Sequence, residues 1–140
     1  ADSFRGLPPP DAETWPADKG VDLSGVETLA VSRTEVEASF DRYGLLDDQV
    51  RFLEGWFADT LPTAPIERLA LLRLDGDLYQ STWEALENLY PRLSVGGILI
   101  VDDYGAFEPC RRAVEDYRSR HDITDEVVPI DWTGIWWRRS

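Results

Sequence analysis

Two acidic groups each close an apolar run. Asp75-Gly76-Asp77 follows Leu69-Ala70-Leu71-Leu72-Arg73-Leu74, and Asp102-Asp103 follows Ile98-Leu99-Ile100-Val101. Each run reads as a short buried strand, so the carboxylates fall at strand C-terminal tips. If both tips lie at one sheet edge, four carboxylates repel one another unless a cation joins them. A hard divalent ion that takes oxygen ligands, such as Mg²⁺, is the simplest choice. Three carboxylates on such an ion and a fourth acting as general base could lower the pKa of a substrate hydroxyl and take its proton. Asp75 and Asp77 share a face of an extended segment, whereas Asp102 and Asp103 can reach one ion only where the strand has ended, as Tyr104-Gly105 implies. Spacing leaves other readings open. Strand-tip aspartates also cap helices, and metal-assisted phosphoryl transfer uses a similar acidic set, although no phosphate-cradling glycine loop of P-loop type is present.

The elements that must position these groups are legible in outline. A helical pattern of about 10–15 residues between two strands marks a βαβ unit, in which parallel strands bring both tips to the edge where open α/β sheets bind ligands. Residues 1–7 read as a strand tail entering Pro8-Pro9-Pro10, and 8–31 as a loop or lid, with Trp15 either a lid contact or a residue that tacks the loop down. Ser32 and Glu35 form a capping box for a helix with the stripe Val36, Phe40, Tyr43, ended by Gly44. Gln49–Leu53 alternates as a strand, and Gly55 permits a tight turn or close ligand approach at its tip. Ser81 and Glu84 have capping-box spacing before a helix with Trp83, Leu86 and Tyr90 on its buried face, which Pro91 stops. Ser94-Val95-Gly96-Gly97 reads as the turn into the second acidic strand. Pro109 suits the first turn of a last helix striped by Phe107, Cys110, Val114 and Tyr117 and ended by His121. Val127–Ile130 and Ile135–Arg139 read as two closing strands around Asp131–Gly134. The order βαβαβαββ predicts a single α/β domain, 1–140, with a mostly parallel sheet and an antiparallel closing hairpin.

The 140 residues carry 27 acidic and 14 basic side chains, a net charge of −13. That balance argues against nucleic acid and anionic membrane as partners, which both require basic surface. No apolar run approaches the ~20 residues that span a bilayer, and no signal-peptide pattern is present. The single cysteine, Cys110, reads as a buried structural thiol and suits a reducing, cytoplasmic setting. The chain contains no methionine, so Ala1 is expected not to be a translation start.

The stretch Leu72-Arg73-Leu74-Asp75-Gly76-Asp77-Leu78-Tyr79-Gln80-Ser81-Thr82, with Leu89-Tyr90-Pro91-Arg92-Leu93, Gly96-Gly97 and Asp102-Asp103-Tyr104, closely resembles the macrocin O-methyltransferase family. Asp2-Ser3-Phe4-Arg5-Gly6-Leu7-Pro8, Gly55–Pro62 and the closing Trp136-Trp137-Arg138-Arg139 resemble further motifs of that family. The resemblance implies a Rossmann-like class I methyltransferase fold, S-adenosylmethionine and Mg²⁺ as cofactors, and methylation of a sugar hydroxyl on a glycosylated natural product in antibiotic biosynthesis. It implies Asp75, Asp102 and Asp103 as metal ligands and Asp77 as the base. It also implies Asp2 on the cofactor ribose, Ser3, Gly55, Trp56 and Phe57 against the adenosine, and Asp75 beside the cofactor as well. The family also has an upstream strand and glycine-rich turn that are absent from these residues. That difference keeps a second expectation alive, a non-catalytic remnant or dimeric module of the same fold. Exposed sheet edges and tryptophans predict a homo-oligomer, and Trp15, Trp56 and Trp132 are candidates to stack on the acceptor.

Overall fold

Ser32 has non-helical backbone and accepts the Glu35 N–H on its hydroxyl while Glu35 returns a carboxylate to the Ser32 N–H, so the expected capping box starts α1 (Arg33–Arg42). Gly44 follows that helix with φ +66°, the left-handed conformation that suits a glycine after a helix. In this computed structural model, which describes residues 1–140, the chain forms two compact units. The first comprises Ala1–Pro9 and Asp22–Ala64, with α1 and a single-turn helix α2 (Phe57–Thr60). The expected strands at 1–7 and 49–53 reduce to one isolated parallel bridge, Asp2 with Glu54. The alternating pattern of 49–53 finds no continuous partner, because only the Asp2 backbone bonds beside it, to Leu53 and Gly55. The expected α1 stripe is not buried either: Tyr43 is 71% exposed and no residue of α1 is in the core. Phe52 gathers its neighbours instead. The Phe4 and Phe40 rings meet it edge-on at 6.1 Å, and the Arg33 guanidinium lies 5.1 Å above it.

The second unit, Pro10–Val21 with Pro65–Ser140, contains the sheet. Strand β1 (Leu69–Leu74) leads through α3 (Tyr79–Leu89) to β2 (Leu93–Val101), which is parallel to it. Helix α4 (Glu108–Arg120) then precedes β3 (Val128–Pro129) and β4 (Ile135–Arg138), and the sheet order is β1-β2-β4-β3. The sheet is mixed: β1 and β2 form the parallel pair, and β4 runs antiparallel to both β2 and β3. Ser94–Gly97 is not a turn before β2 but a bulge inside it, since Leu69 pairs with Leu93 and Leu71 already with Ile98. Gly97 makes the bulge possible. A Cβ there would stand 2.8 Å from both a Leu93 methyl and the Ser94 carbonyl oxygen.

Helices α3 and α4 pack together, and the core lies between them and one sheet face, with Leu86, Leu99, Val101, Val114 and Trp137 essentially inaccessible. Each such side chain removes enough apolar surface from water to stabilise the fold by about 1.5–3 kcal/mol. Trp137 keeps its polar edge satisfied, donating its indole N–H to the Tyr90 hydroxyl at 3.2 Å. Cys110 is buried as expected, and burial pushes its thiol pKa up to about 12.

Ser81 is not the cap of α3. The helix begins two residues earlier, and its first N–H groups are taken by a distant carboxylate. Asp18, fully buried, accepts the Tyr79 N–H on Oδ1 at 2.6 Å and the Gln80 N–H on Oδ2 at 3.0 Å. A carboxylate at a helix N-terminus also faces the positive end of the macrodipole. Trp15 lies 5.8 Å from the Tyr79 ring, a contact that tacks residues 10–21 onto α3.

Candidate active site: an acidic edge on the sheet

The β1–β2 register decides which carboxylates meet. Leu74 pairs with Val101, and the Asp102 N–H continues the ladder onto the Leu74 carbonyl at 2.9 Å. The two acidic tips therefore leave the sheet side by side. One carboxylate oxygen from each of Asp75, Asp102 and Asp103 lies within 4.8 Å of the others. The residues predicted to hold a metal are thus brought together. Three hard oxygen donors within one ion's reach suit a hard divalent cation that completes its shell with water.

Asp77 stands beside them through an unusual backbone. Its φ is +55°, a left-handed conformation that costs a non-glycine residue roughly 1–2 kcal/mol. Such outliers persist where the surroundings enforce them, commonly at functional sites. Here the fold returns the Asp77 N–H to Asp103 Oδ2 at 3.4 Å. Desolvation, then the charges of Asp77 and Asp75, lifts the Asp103 pKa to about 7. Asp77 is raised as well, chiefly by desolvation. Burial and mutual repulsion therefore push both carboxyls of this pair toward the neutral form.

Two residues of this neighbourhood were not singled out from the sequence. Arg73 extends from β1, and its Nη2 lies 2.9 Å from Asp75 Oδ2 and 2.9 Å from Asp102 Oδ1. Its signal was available: it is the one basic residue in the apolar run that Asp75 closes. Asp18 had no comparable signal, because its partners Tyr79 and Gln80 lie 61 and 62 residues away.

The residues predicted at the cofactor's adenosine end meet in the first unit. The Asp2–Glu54 bridge sets Asp2-Ser3 beside Gly55-Trp56-Phe57, with the Gly55 N–H bonded to the Asp2 carbonyl at 2.9 Å. Asp2 Oδ1 accepts the Phe4 N–H at 2.6 Å. The Ser3 hydroxyl is engaged twice within its own loop, donating to the Gly6 carbonyl at 2.7 Å and accepting the Arg5 N–H at 3.0 Å. Gly55 has φ +141°, and a Cβ there would lie 2.7 Å from a Thr60 methyl, so the tight turn itself requires glycine. Trp56 caps α2 and Phe57 opens it.

The mixed sheet flanked by helices, with its acidic edge, defines an α/β methyltransferase-type fold. The likeness to solved structures agrees. The O-methyltransferase NovP superposes with a TM-score of 0.95 at 54% identity over 99% of this chain and 58% of its own. The calicheamicin methyltransferase CalS11 does so with a TM-score of 0.70 at 21% identity, a likeness of fold, over 98% of this chain and 58% of its own. The model of the Macrocin-O-methyltransferase (TylF) family matches residues 1–139, and the chain belongs to that family.

Among curated relatives, the demethyldecarbamoylnovobiocin O-methyltransferase of Streptomyces niveus is 54% identical, with the match covering all of this chain and 54% of that protein. An 8-demethyl-8-(2,3-dimethoxy-alpha-L-rhamnosyl)-tetracenomycin-C 4'-O-methyltransferase of Streptomyces olivaceus is 57% identical over all of this chain and 54% of its own length. The mycinamicin III 3''-O-methyltransferase of Micromonospora griseorubida is 53% identical over all of this chain and 56% of its own. The chain thus spans about half the length of the curated relatives it matches.

Proposed function

We propose that this chain carries the acceptor-activating machinery of an S-adenosylmethionine-dependent O-methyltransferase that acts on a sugar hydroxyl of a glycosylated natural product, with Mg²⁺ as its metal. The observation that carries the reading is the convergence of Asp75, Asp102 and Asp103 beside Asp77 at one sheet edge, in a chain of the macrocin O-methyltransferase family. The names of its relatives support the acceptor class: one carries out 4'-O-methylation of a rhamnosylated tetracenomycin, and another 3''-O-methylation of a mycinamicin.

In this reading Asp75, Asp102 and Asp103 hold the divalent ion. When bound, the ion supplies positive charge beside the acceptor oxygen, and S-adenosylmethionine supplies an activated methyl group. Asp77 orients the acceptor hydroxyl and receives its proton on the carboxylate as the oxygen–methyl bond forms and the donor's carbon–sulfur bond breaks. The left-handed backbone at Asp77 brings its N–H to Asp103 and keeps Asp77 beside the cluster, and positioning is the main contribution of the chain. Asp2 would hydrogen-bond the cofactor's ribose, and Ser3, Gly55, Trp56 and Phe57 would lie against its adenosine; Asp75 would serve the cofactor as well as the metal. The acceptor is a small glycosylated molecule, and the protein works in the cytoplasm as a homo-oligomer. No helix is long and apolar enough to cross a membrane.

Methyl transfer from labelled S-adenosylmethionine to deoxysugar glycosides tests this reading. Turnover is expected to require Mg²⁺, and Asp77→Asn is expected to cut it about 10²–10⁴-fold, the usual contribution of a general base. Near-normal turnover by Asp77→Asn, or turnover undiminished by a chelator, would contradict the assignment.

A further inference from the structure

Each ligand carboxylate of the acidic edge already spends one oxygen on a neighbour. Asp75 Oδ2 and Asp102 Oδ1 both lie 2.9 Å from a single Arg73 nitrogen, Nη2. Asp103 Oδ2 faces the Asp77 backbone N–H at 3.4 Å. An isolated ion pair this exposed would add little to stability, since the Arg73 and Asp75 side chains are each half-exposed. Its position matters more than its energy. Arg73 stands on β1 two residues before Asp75, which follows the strand, and spans both acidic tips. It therefore fixes the orientation of two carboxylates of the cluster and leaves each with one uncommitted oxygen.

That arrangement discriminates between cations. Ca²⁺ takes six to eight oxygens at 2.3–2.6 Å and commonly uses both oxygens of a carboxylate, whereas Mg²⁺ takes six at about 2.0–2.1 Å and retains water. Asp75 and Asp102, with one oxygen each held by Arg73, can serve the octahedral ion but under-supply the larger one. We propose that Arg73 is a metal-selectivity residue: by holding one oxygen of Asp75 and one of Asp102, it restricts both to single-oxygen ligation and favours Mg²⁺ over Ca²⁺. This inference rests on the metal reading of the acidic edge given above. Arg73 acts through its two aspartates and is a positioning residue. Its positive charge opposes any dication to a similar degree, so the ratio of two affinities, rather than either one alone, reports its role.

The test is calorimetric titration of the full chain with MgCl₂ and with CaCl₂, for the unsubstituted protein, Arg73→Gln and Arg73→Lys. Arg73→Gln is expected to shift the affinity ratio toward Ca²⁺ by about tenfold, as the freed carboxylates become able to chelate with both oxygens. Arg73→Lys, whose ammonium still reaches one carboxylate, is expected to shift it in the same direction by less. A ratio unchanged in Arg73→Gln overturns the proposal. If circular dichroism shows Arg73→Gln unfolded, Arg73→Lys decides: a shift toward Ca²⁺ supports the proposal and an unchanged ratio overturns it. Failure of the unsubstituted protein to bind either ion saturably overturns the metal reading together with this inference.

Discussion

At the scale of single residues, the acidic edge is a balance between solvation and charge. Asp103 is almost buried, at 9% exposure, among carboxylates of its own sign, and both effects favour its neutral form. A carboxyl whose folded pKa is raised binds more protons in the native than in the unfolded state across the interval between the two values. Stability then falls as pH rises through that interval, here from the ordinary carboxylate range up to about 7. In chelator, the thermal midpoint is accordingly expected to drop between pH 5 and pH 8, and Asp103→Asn is expected to flatten the drop. A midpoint that instead rose with pH in the unsubstituted protein and fell in Asp103→Asn would show that burial does not govern this group. The acidic cluster was legible in the sequence because each of its two parts closes an apolar run. The approach of Asp77 to Asp103 was not, since it depends on a backbone twist at Asp77 that no local pattern announces.

At the scale of elements, the link between residues 10–21 and the acidic edge is a helix cap. Helix α3 follows directly on Asp75-Gly76-Asp77, so whatever fixes its first turn also fixes the loop that carries the proposed base. Asp18 does this with both carboxylate oxygens. Asp18→Ala is expected to cost about 1–2 kcal/mol in denaturant unfolding, the upper range for a lost cap. Asp18→Asn retains an acceptor for one of the two N–H groups and is expected to recover about half of that loss. Equal stability of Asp18→Ala and the unsubstituted protein would mean that solvent satisfies these groups as well. Capping-box spacing pointed to Ser81 because the pattern Ser-x-x-Glu is local, whereas the acceptor in use is tertiary. At Ser32 the same pattern held, with Ser32 and Glu35 bonded reciprocally. Gly96-Gly97 shows the opposite lesson. Paired glycines mark a turn or a bulge with equal force, and the pairing of Leu93 with Leu69 places them inside a strand. The alternation at 49–53 failed as a strand for want of a continuous partner, whereas that of Leu69–Leu74 succeeded beside β2.

At the scale of the whole molecule, the βαβ unit and closing hairpin followed from periodicity, because a buried face must recur every second residue in a strand and every three to four in a helix. The division into two compact units did not follow from it. The net charge of −13 is spread widely over the sequence, but the part of it at the β1–β2 tips brings three carboxylates within one ion's reach. The account as a whole rests on that edge taking a divalent ion with Asp77 outside its ligand set. The most direct measurement is a calorimetric Mg²⁺ titration of the chain and of Asp75→Asn, Asp102→Asn and Asp77→Asn. The account predicts saturable binding of one ion, weakened at least about tenfold by either ligand substitution, since each removes a charged oxygen donor, and little changed by Asp77→Asn. Absence of saturable binding, or a loss in Asp77→Asn as large as in Asp75→Asn, would contradict it.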